Sequence, residues 1–187
     1  MKTTLLPVLF TLALAHASFA QTCREVVRDS SGRIVQTIEL HKQVNGGQHA
    51  VIRDNSGRII GTATTRANYG TSSTARTDFR DASGRLTGTA TTQCNPTFST
   101  SQTTYRDAAN RLTGSAHTTH SPYAGSSTQF RDAAGRSTGT QTSSGKSYGS
   151  TTTTHRDASN RVTGTSSTPS KCIGMPLVPV PPNGTKK

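Results

Sequence analysis

The segment TDFRDASGRLTGTATT, residues 77–92, decides how the whole chain is read, because it recurs with small changes along most of the 187 residues. Its Arg-Asp pair returns as Arg28-Asp29, Arg53-Asp54, Arg80-Asp81, Arg106-Asp107, Arg131-Asp132 and Arg156-Asp157, in steps of 25, 27, 26, 25 and 25 residues. A period of this size marks a repeat architecture. Three residues after each Asp stands Gly32, Gly57, Gly84, Asn110, Gly135 or Asn160. Only Gly and Asn fill that slot, the two residues that best tolerate a positive φ. A hairpin loop built on a type I turn and closed by a left-handed residue requires this chemistry, with Asp favoured at its first position. Each Asp-x-x-Gly/Asn is therefore read as a turn.

The flanking segments read as strands, rich in Thr with Val, Ile, Phe or Tyr set among polar residues. A four-residue loop over Asp81–Gly84 would pair Arg80 with Arg85 and Phe79 with Leu86, placing both large apolar residues on one face. A three-residue loop would separate them, so the four-residue loop is expected. On that register Val27, Ile52, Phe79, Tyr105, Phe130 and His155 face inward with Ile34, Ile59, Leu86, Leu112, Ser137 and Val162. Inward Gly61, Gly88, Gly114, Gly139 and Gly164 leave room for a ring or for close packing, and Gln36 replaces the glycine in the first repeat. Each repeat becomes one β-hairpin, and stacking the hairpins buries the thin apolar row. The expected fold is an all-β, up-and-down antiparallel array of six hairpins and about twelve strands.

Only 29% of the chain is hydrophobic and there is no Trp, so a conventional core is not expected. Strict turn chemistry at one fixed offset argues against disorder, the alternative that such polarity suggests. Residues 1–20, MKTTLLPVLFTLALAHASFA, carry one Lys, an apolar run and small residues Ser18 and Ala20. They read as a secretory signal peptide cut after Ala20. The repeats occupy 21–170, centred on Asp29, Asp54, Asp81, Asp107, Asp132 and Asp157, and 171–187 is a Pro-rich tail. Thr22 is a poor lipobox residue before Cys23, which favours a soluble exported protein, periplasmic or extracellular, over a lipoprotein. An outer-membrane barrel would need an apolar residue at every second strand position, where these strands offer Thr and Arg.

Export places Cys23, Cys94 and Cys172 in an oxidising setting. Twelve strands about 4.8 Å apart would hold the ends of an open array roughly 50 Å from each other. A disulfide needs Cα atoms within about 7 Å. A Cys23–Cys172 bond therefore requires the sheet to curl until its first and last strands meet, which would also remove two exposed edges. A closed or nearly closed barrel-like ring with that bond is favoured. The alternative is an open or spiral sheet in which Cys94 bonds to one end or all three thiols stay apart.

FRDASGRLTG (79–88) and YRDAANRLTG (105–114) resemble the YD repeats of Rhs-type proteins, whose units run Tyr-Asp, two small residues, Gly, Arg, Leu, Thr. The likeness covers the turn and the second strand of each unit. This chain writes Arg-Asp for Tyr-Asp and uses a longer unit. The resemblance implies a secreted β-hairpin array; the toxin-enclosing role of that family is not carried over.

Chemistry is sparse. Of nine acids, six are the repeat Asp residues, and equivalent positions strung along an array cannot converge on one catalytic pair. His117 and His120 point to opposite faces of a strand, so they make no ligand pair. No phosphate loop or nucleophile elbow is present. The expectation is a protein that is not an enzyme and carries no cofactor or metal.

Charge carries more. Lys and Arg number 21 against nine acids, for +12, and twelve of these cations flank the turns. The blander reading pairs Asp with Arg as solvated ion pairs worth little each. Even so, one Arg per repeat stays unpaired. The ladder Arg53, Arg58, Arg80, Arg85, Arg106, Arg111, Arg131, Arg136, Arg156 and Arg161 suits a polyanionic envelope or extracellular polymer. Few outward aromatics are available to stack on bases, which disfavours sequence-specific nucleic-acid reading. The alternatives are a structural spacer or adhesin-like protein and, less favoured, ice binding through the outward rows Thr87-Thr89-Thr91, Thr138-Thr140-Thr142 and Thr163-Thr165.

Overall fold

In the computed structural model, residues 22–43, 47–68, 73–121, 125–144 and 150–169 are described. The leader expected over 1–20, the tail over 171–187 and Cys172 lie outside them. Twelve strands follow in order: β1 (Thr22–Asp29), β2 (Ile34–Lys42), β3 (Gln48–Asp54), β4 (Ile59–Asn68), β5 (Thr74–Asp81) and β6 (Leu86–Asn95). The second half continues with β7 (Thr100–Asp107), β8 (Leu112–Ser121), β9 (Gly125–Asp132), β10 (Ser137–Ser143), β11 (Ser150–Asp157) and β12 (Val162–Pro169). Every strand pairs antiparallel with its neighbours in sequence, and β1 pairs with β12, with Val26 opposite Ser167 and Arg28 opposite Thr165. The array is a closed up-and-down barrel. Closure leaves none of these twelve strands with a free edge to recruit another chain.

All six turn positions have positive φ, from 64° at Asn110 and Asn160 to 84° at Gly57. The turns are nevertheless one residue shorter than expected. The Asp81 N–H donates to the Arg85 carbonyl at 3.0 Å and the Gly84 N–H to the Asp81 carbonyl at 3.0 Å, so Asp81 and Arg85 close a three-residue loop. Arg80 then faces Leu86, and Phe79 faces Gly88, with Thr87 bulged out between them. The same irregularity occurs in each of the six hairpins, whereas the six pairings between hairpins, the β1–β12 seam included, run without one. The expected four-residue loop and the inward Phe79–Leu86 pair are thus corrected. A three-residue loop does change the parity of the second strand, and the bulge changes it back. Leu86 stays outside at 38% exposure, and Gly88 lies buried opposite the Phe79 ring.

The interior is built in tiers. Nearest the turns, Ile52, Phe79, Tyr105, Phe130 and His155 each sit opposite the inward glycine of their own hairpin: Gly61, Gly88, Gly114, Gly139 and Gly164. Next come the small residues Ala63, Ala90 and Ala116, each 2% exposed and each facing the ring of the following hairpin. Two apolar clusters result, and Phe79 packs against both. Beyond them lies a polar tier of hydroxyl pairs, Thr65–Thr77 at 2.8 Å, Thr92–Thr103 at 2.9 Å, Thr118–Thr128 at 2.9 Å and Ser143–Thr153 at 2.8 Å. Each bridges two neighbouring hairpins, and a cross-strand pair of this kind is worth about 0.2–1 kcal/mol. This tier explains how a chain so poor in hydrophobic residues closes a barrel. Hydroxyls that satisfy one another can be buried where aliphatic groups are missing.

Candidate functional site

Up-and-down connectivity places all six Asp-x-x-Gly/Asn turns at one end of the barrel. In each, the Asp carboxylate is consumed by the turn. Asp81 Oδ1 accepts the N–H groups of Ser83 and Arg85, both at 2.9 Å. Asp29, Asp54, Asp107, Asp132 and Asp157 accept the corresponding Arg N–H at 2.8–3.0 Å. A hydrogen bond from Ser31 holds the Asp29 carboxyl below the ordinary carboxylate range, Ser56 does the same for Asp54, and the Arg111 N–H does so for Asp107.

The first Arg of each repeat has a role that ion-pair reasoning missed. Its Nη1 donates across the turn to the carbonyl of the left-handed residue, at 2.9 Å for Arg28, 3.1 Å for Arg53, 2.8 Å for Arg80, 2.9 Å for Arg106, 2.9 Å for Arg131 and 3.0 Å for Arg156. A carbonyl oxygen is neutral, so the clasp orients the guanidinium without cancelling its charge. Among the described residues, only two of the twelve rim arginines form ion pairs: Arg111 with Asp107 at 2.7 Å and Arg53 with Glu39 at 3.4 Å. Twelve Arg against six Asp leave this rim at +6. Of the arginines expected to form a ladder, Arg58, Arg80, Arg85, Arg106, Arg111, Arg131, Arg136 and Arg161 are exposed, while Arg53 and Arg156 are half-buried. The barrel arranges them as a ring.

Beside this ring stand side chains expected inside. Ile34, Ile59, Leu86, Leu112 and Val162 are 38–45% exposed, each opposite the first Arg of its hairpin. An open cavity of about 340 Å³ also reaches this end, lined by Ile52, Phe79, Tyr105 and Gly88 and flanked by Arg80 and Arg106. The Thr rows do face outward, but Thr89 lies between Leu86 on its own strand and Arg106 on the next, on a convex surface.

Burial perturbs Glu25 in β1 and the half-buried His155 in the aromatic tier. Glu25 is 8% exposed inside β1, and burial pushes its carboxyl up; the nearby Ser166 hydroxyl offsets part of this without forming a well-aligned hydrogen bond. His155 occupies the aromatic tier, its Nε2 buried with no partner among the described residues, and burial pushes its pKa below 6.5. The folded state therefore resists protonation of His155 more than the unfolded chain does. Stability from this residue is present above about pH 6.5 and falls as the pH drops toward the folded value. His155→Phe, matching Phe79 and Phe130, should stabilise the barrel by about 1–3 kcal/mol at neutral pH by removing the orphaned nitrogen. The gain should be larger at pH 5 than at pH 8. Thermal melts at both values check this, and an equal gain at the two would mean that His155 does not titrate against folding.

Cys94 is an exposed free thiol on β6, while Cys23 is fully buried and disulfide-bonded. No protein-family model, no curated protein and no solved structure matches this chain.

Proposed function

We propose that this is a non-catalytic exported β-repeat protein whose turn-end rim makes polyvalent, mainly electrostatic contacts with polyanionic envelope or extracellular polymers. The observation that carries the reading is the division of labour within each Arg-Asp turn. The carboxylate is spent on backbone N–H groups and the first guanidinium on a neutral carbonyl, so the positive charge survives the hydrogen bonding that orders it. Six repeats present this arrangement around one closed rim, the geometry that rewards a multivalent anionic partner. The YD-like repeats and the signal-peptide-like leader support export, and export supports a Cys23–Cys172 bond across the barrel seam.

The cleanest test uses the second arginines, because their guanidinium groups are not the ones that clasp the turn. Changing Arg58, Arg85, Arg136 and Arg161 together to Gln should leave the circular dichroism unchanged. Binding to polyphosphate should weaken, and the slope of log K against log salt should fall by roughly 3, near 0.7–0.9 for each lost phosphate contact. A slope unchanged in the variant, or affinity equal to that of an unrelated basic protein of the same charge, would favour a spacer or adhesin-like role instead.

A further inference from the structure

We infer that the turn-end rim docks onto a lipid surface bearing anionic headgroups, with its arginines among the phosphates and its aliphatic girdle at the edge of the acyl region. The inference rests on the polyanion reading and narrows it to one class of partner. A soluble polymer accounts for the arginines alone. It gives no reason for aliphatic residues to recur on the outer face at one level.

Recurrence is the point, since a single exposed Leu needs no explanation. Of the eight exposed large hydrophobic residues among those described, seven lie within three residues of a turn's left-handed Gly or Asn. The exception is Phe98, between β6 and β7 at the other end. In five of the six hairpins the residue opposite the clasping Arg is aliphatic, and in the remaining one Ser137 stands opposite Arg131. The first two repeats add Val35 and Ile60, 43% and 44% exposed, at the bulge itself, so that part of the rim is the most apolar.

Depth fits as well. From the turn tip to the aliphatic position is about three residues, or roughly 7–10 Å along a tilted strand. That is close to the 5–10 Å by which interfacial elements sink to the headgroup–acyl boundary. Arginines at the same level can extend along the apolar surface and keep their charge at the phosphates. Farther from the turns the outward positions are polar, such as Arg76 and Asp78 on β5 and Thr91 and Gln93 on β6. The barrel therefore lies on the surface and does not span it.

The test compares two probes on the exported, processed protein: soluble polyphosphate, and vesicles of equal parts phosphatidylglycerol and phosphatidylcholine. The variant changes Ile59, Leu86 and Leu112 to Ser, the residue already at the equivalent position 137. Its circular dichroism should match the parent. Parent protein should bind the vesicles and keep part of that binding at a salt concentration that releases polyphosphate. The variant should lose at least tenfold in vesicle affinity and less than twofold in polyphosphate affinity. Vesicle binding that is indifferent to the three serines, or that salt abolishes as fully as polyphosphate binding, would overturn the lipid inference and leave the polymer reading intact. Binding to neither probe would overturn both. Serine-sensitive vesicle binding without any polyphosphate affinity would support the lipid surface and remove the soluble polymer.

Discussion

Replacing Gly88 and Gly114 together by Ala should cost the barrel about 2–6 kcal/mol, enough to unfold it if its stability lies near the lower end of the usual 5–15 kcal/mol. A Cβ at Gly88 would stand 2.6 Å from the Arg106 carbonyl oxygen, and one at Gly114 would stand 2.5 Å from that of Arg131. Both obstacles are backbone, so no side chain can swing aside to relieve them. The two sites press on different neighbours, β7 and β9, and their costs should be nearly additive. The turn glycines provide the contrast. Nothing lies within 4 Å of a Cβ built at Gly84, and its φ of +78° resembles the 64° that Asn110 adopts at the same slot. Gly84→Asn should therefore change stability by no more than about 1 kcal/mol. Urea denaturation of the two variants checks the contrast; a well-folded Gly88→Ala, Gly114→Ala protein would mean that the strands can separate at low cost.

Reduction should have a comparable effect. If Cys23 is bonded to Cys172, the bridge closes a loop of roughly 150 residues, and the chain-entropy argument assigns it about 5 kcal/mol. The β1–β12 seam is the pairing most separated in sequence, so it carries the largest closure entropy, and the bridge would hold it shut. A reductant, or Cys23→Ser, should lower the urea midpoint sharply and loosen amide protection first on β1 and β12. Cys94→Ser, at an exposed free thiol, should leave the midpoint where it was. A midpoint insensitive to reductant, or a crosslinked peptide containing Cys94, would break the link between the bridge and the seam.

The two glycine classes also show which information is local. The Asp-x-x-Gly/Asn turns are legible because a left-handed residue is demanded at one position by three or four adjacent residues. Strand number, antiparallel order and the inward aromatic tier follow from repeating that unit. The carbonyl clasp by Arg80 escapes the same reasoning, since opposite charges suggest an Asp partner and only the folded turn shows a carbonyl within guanidinium reach. Inwardness of Leu86 is misjudged for a related reason. Loop length alone sets parity only in a strand without a bulge, and the bulge at Thr87 arises from fitting Gly88 against both the Phe79 ring and the next strand.

Closure is the least local property of all. Composition and period allow a twelve-strand sheet to remain open, spiral or meet itself, and the cysteines favour one of these only on condition that they bond. The meeting of β1 with β12 depends on twist and stagger accumulated across the whole array, a sum to which each hairpin contributes and which none contains. Each repeat on its own specifies a hairpin, the left-handed residue of its turn and the positive charge beside it, though not the length of the loop. The tertiary structure decided that the six charged turns share one rim and that the aliphatic residues beside them face outward, because both follow from how strands pair around a closed circuit.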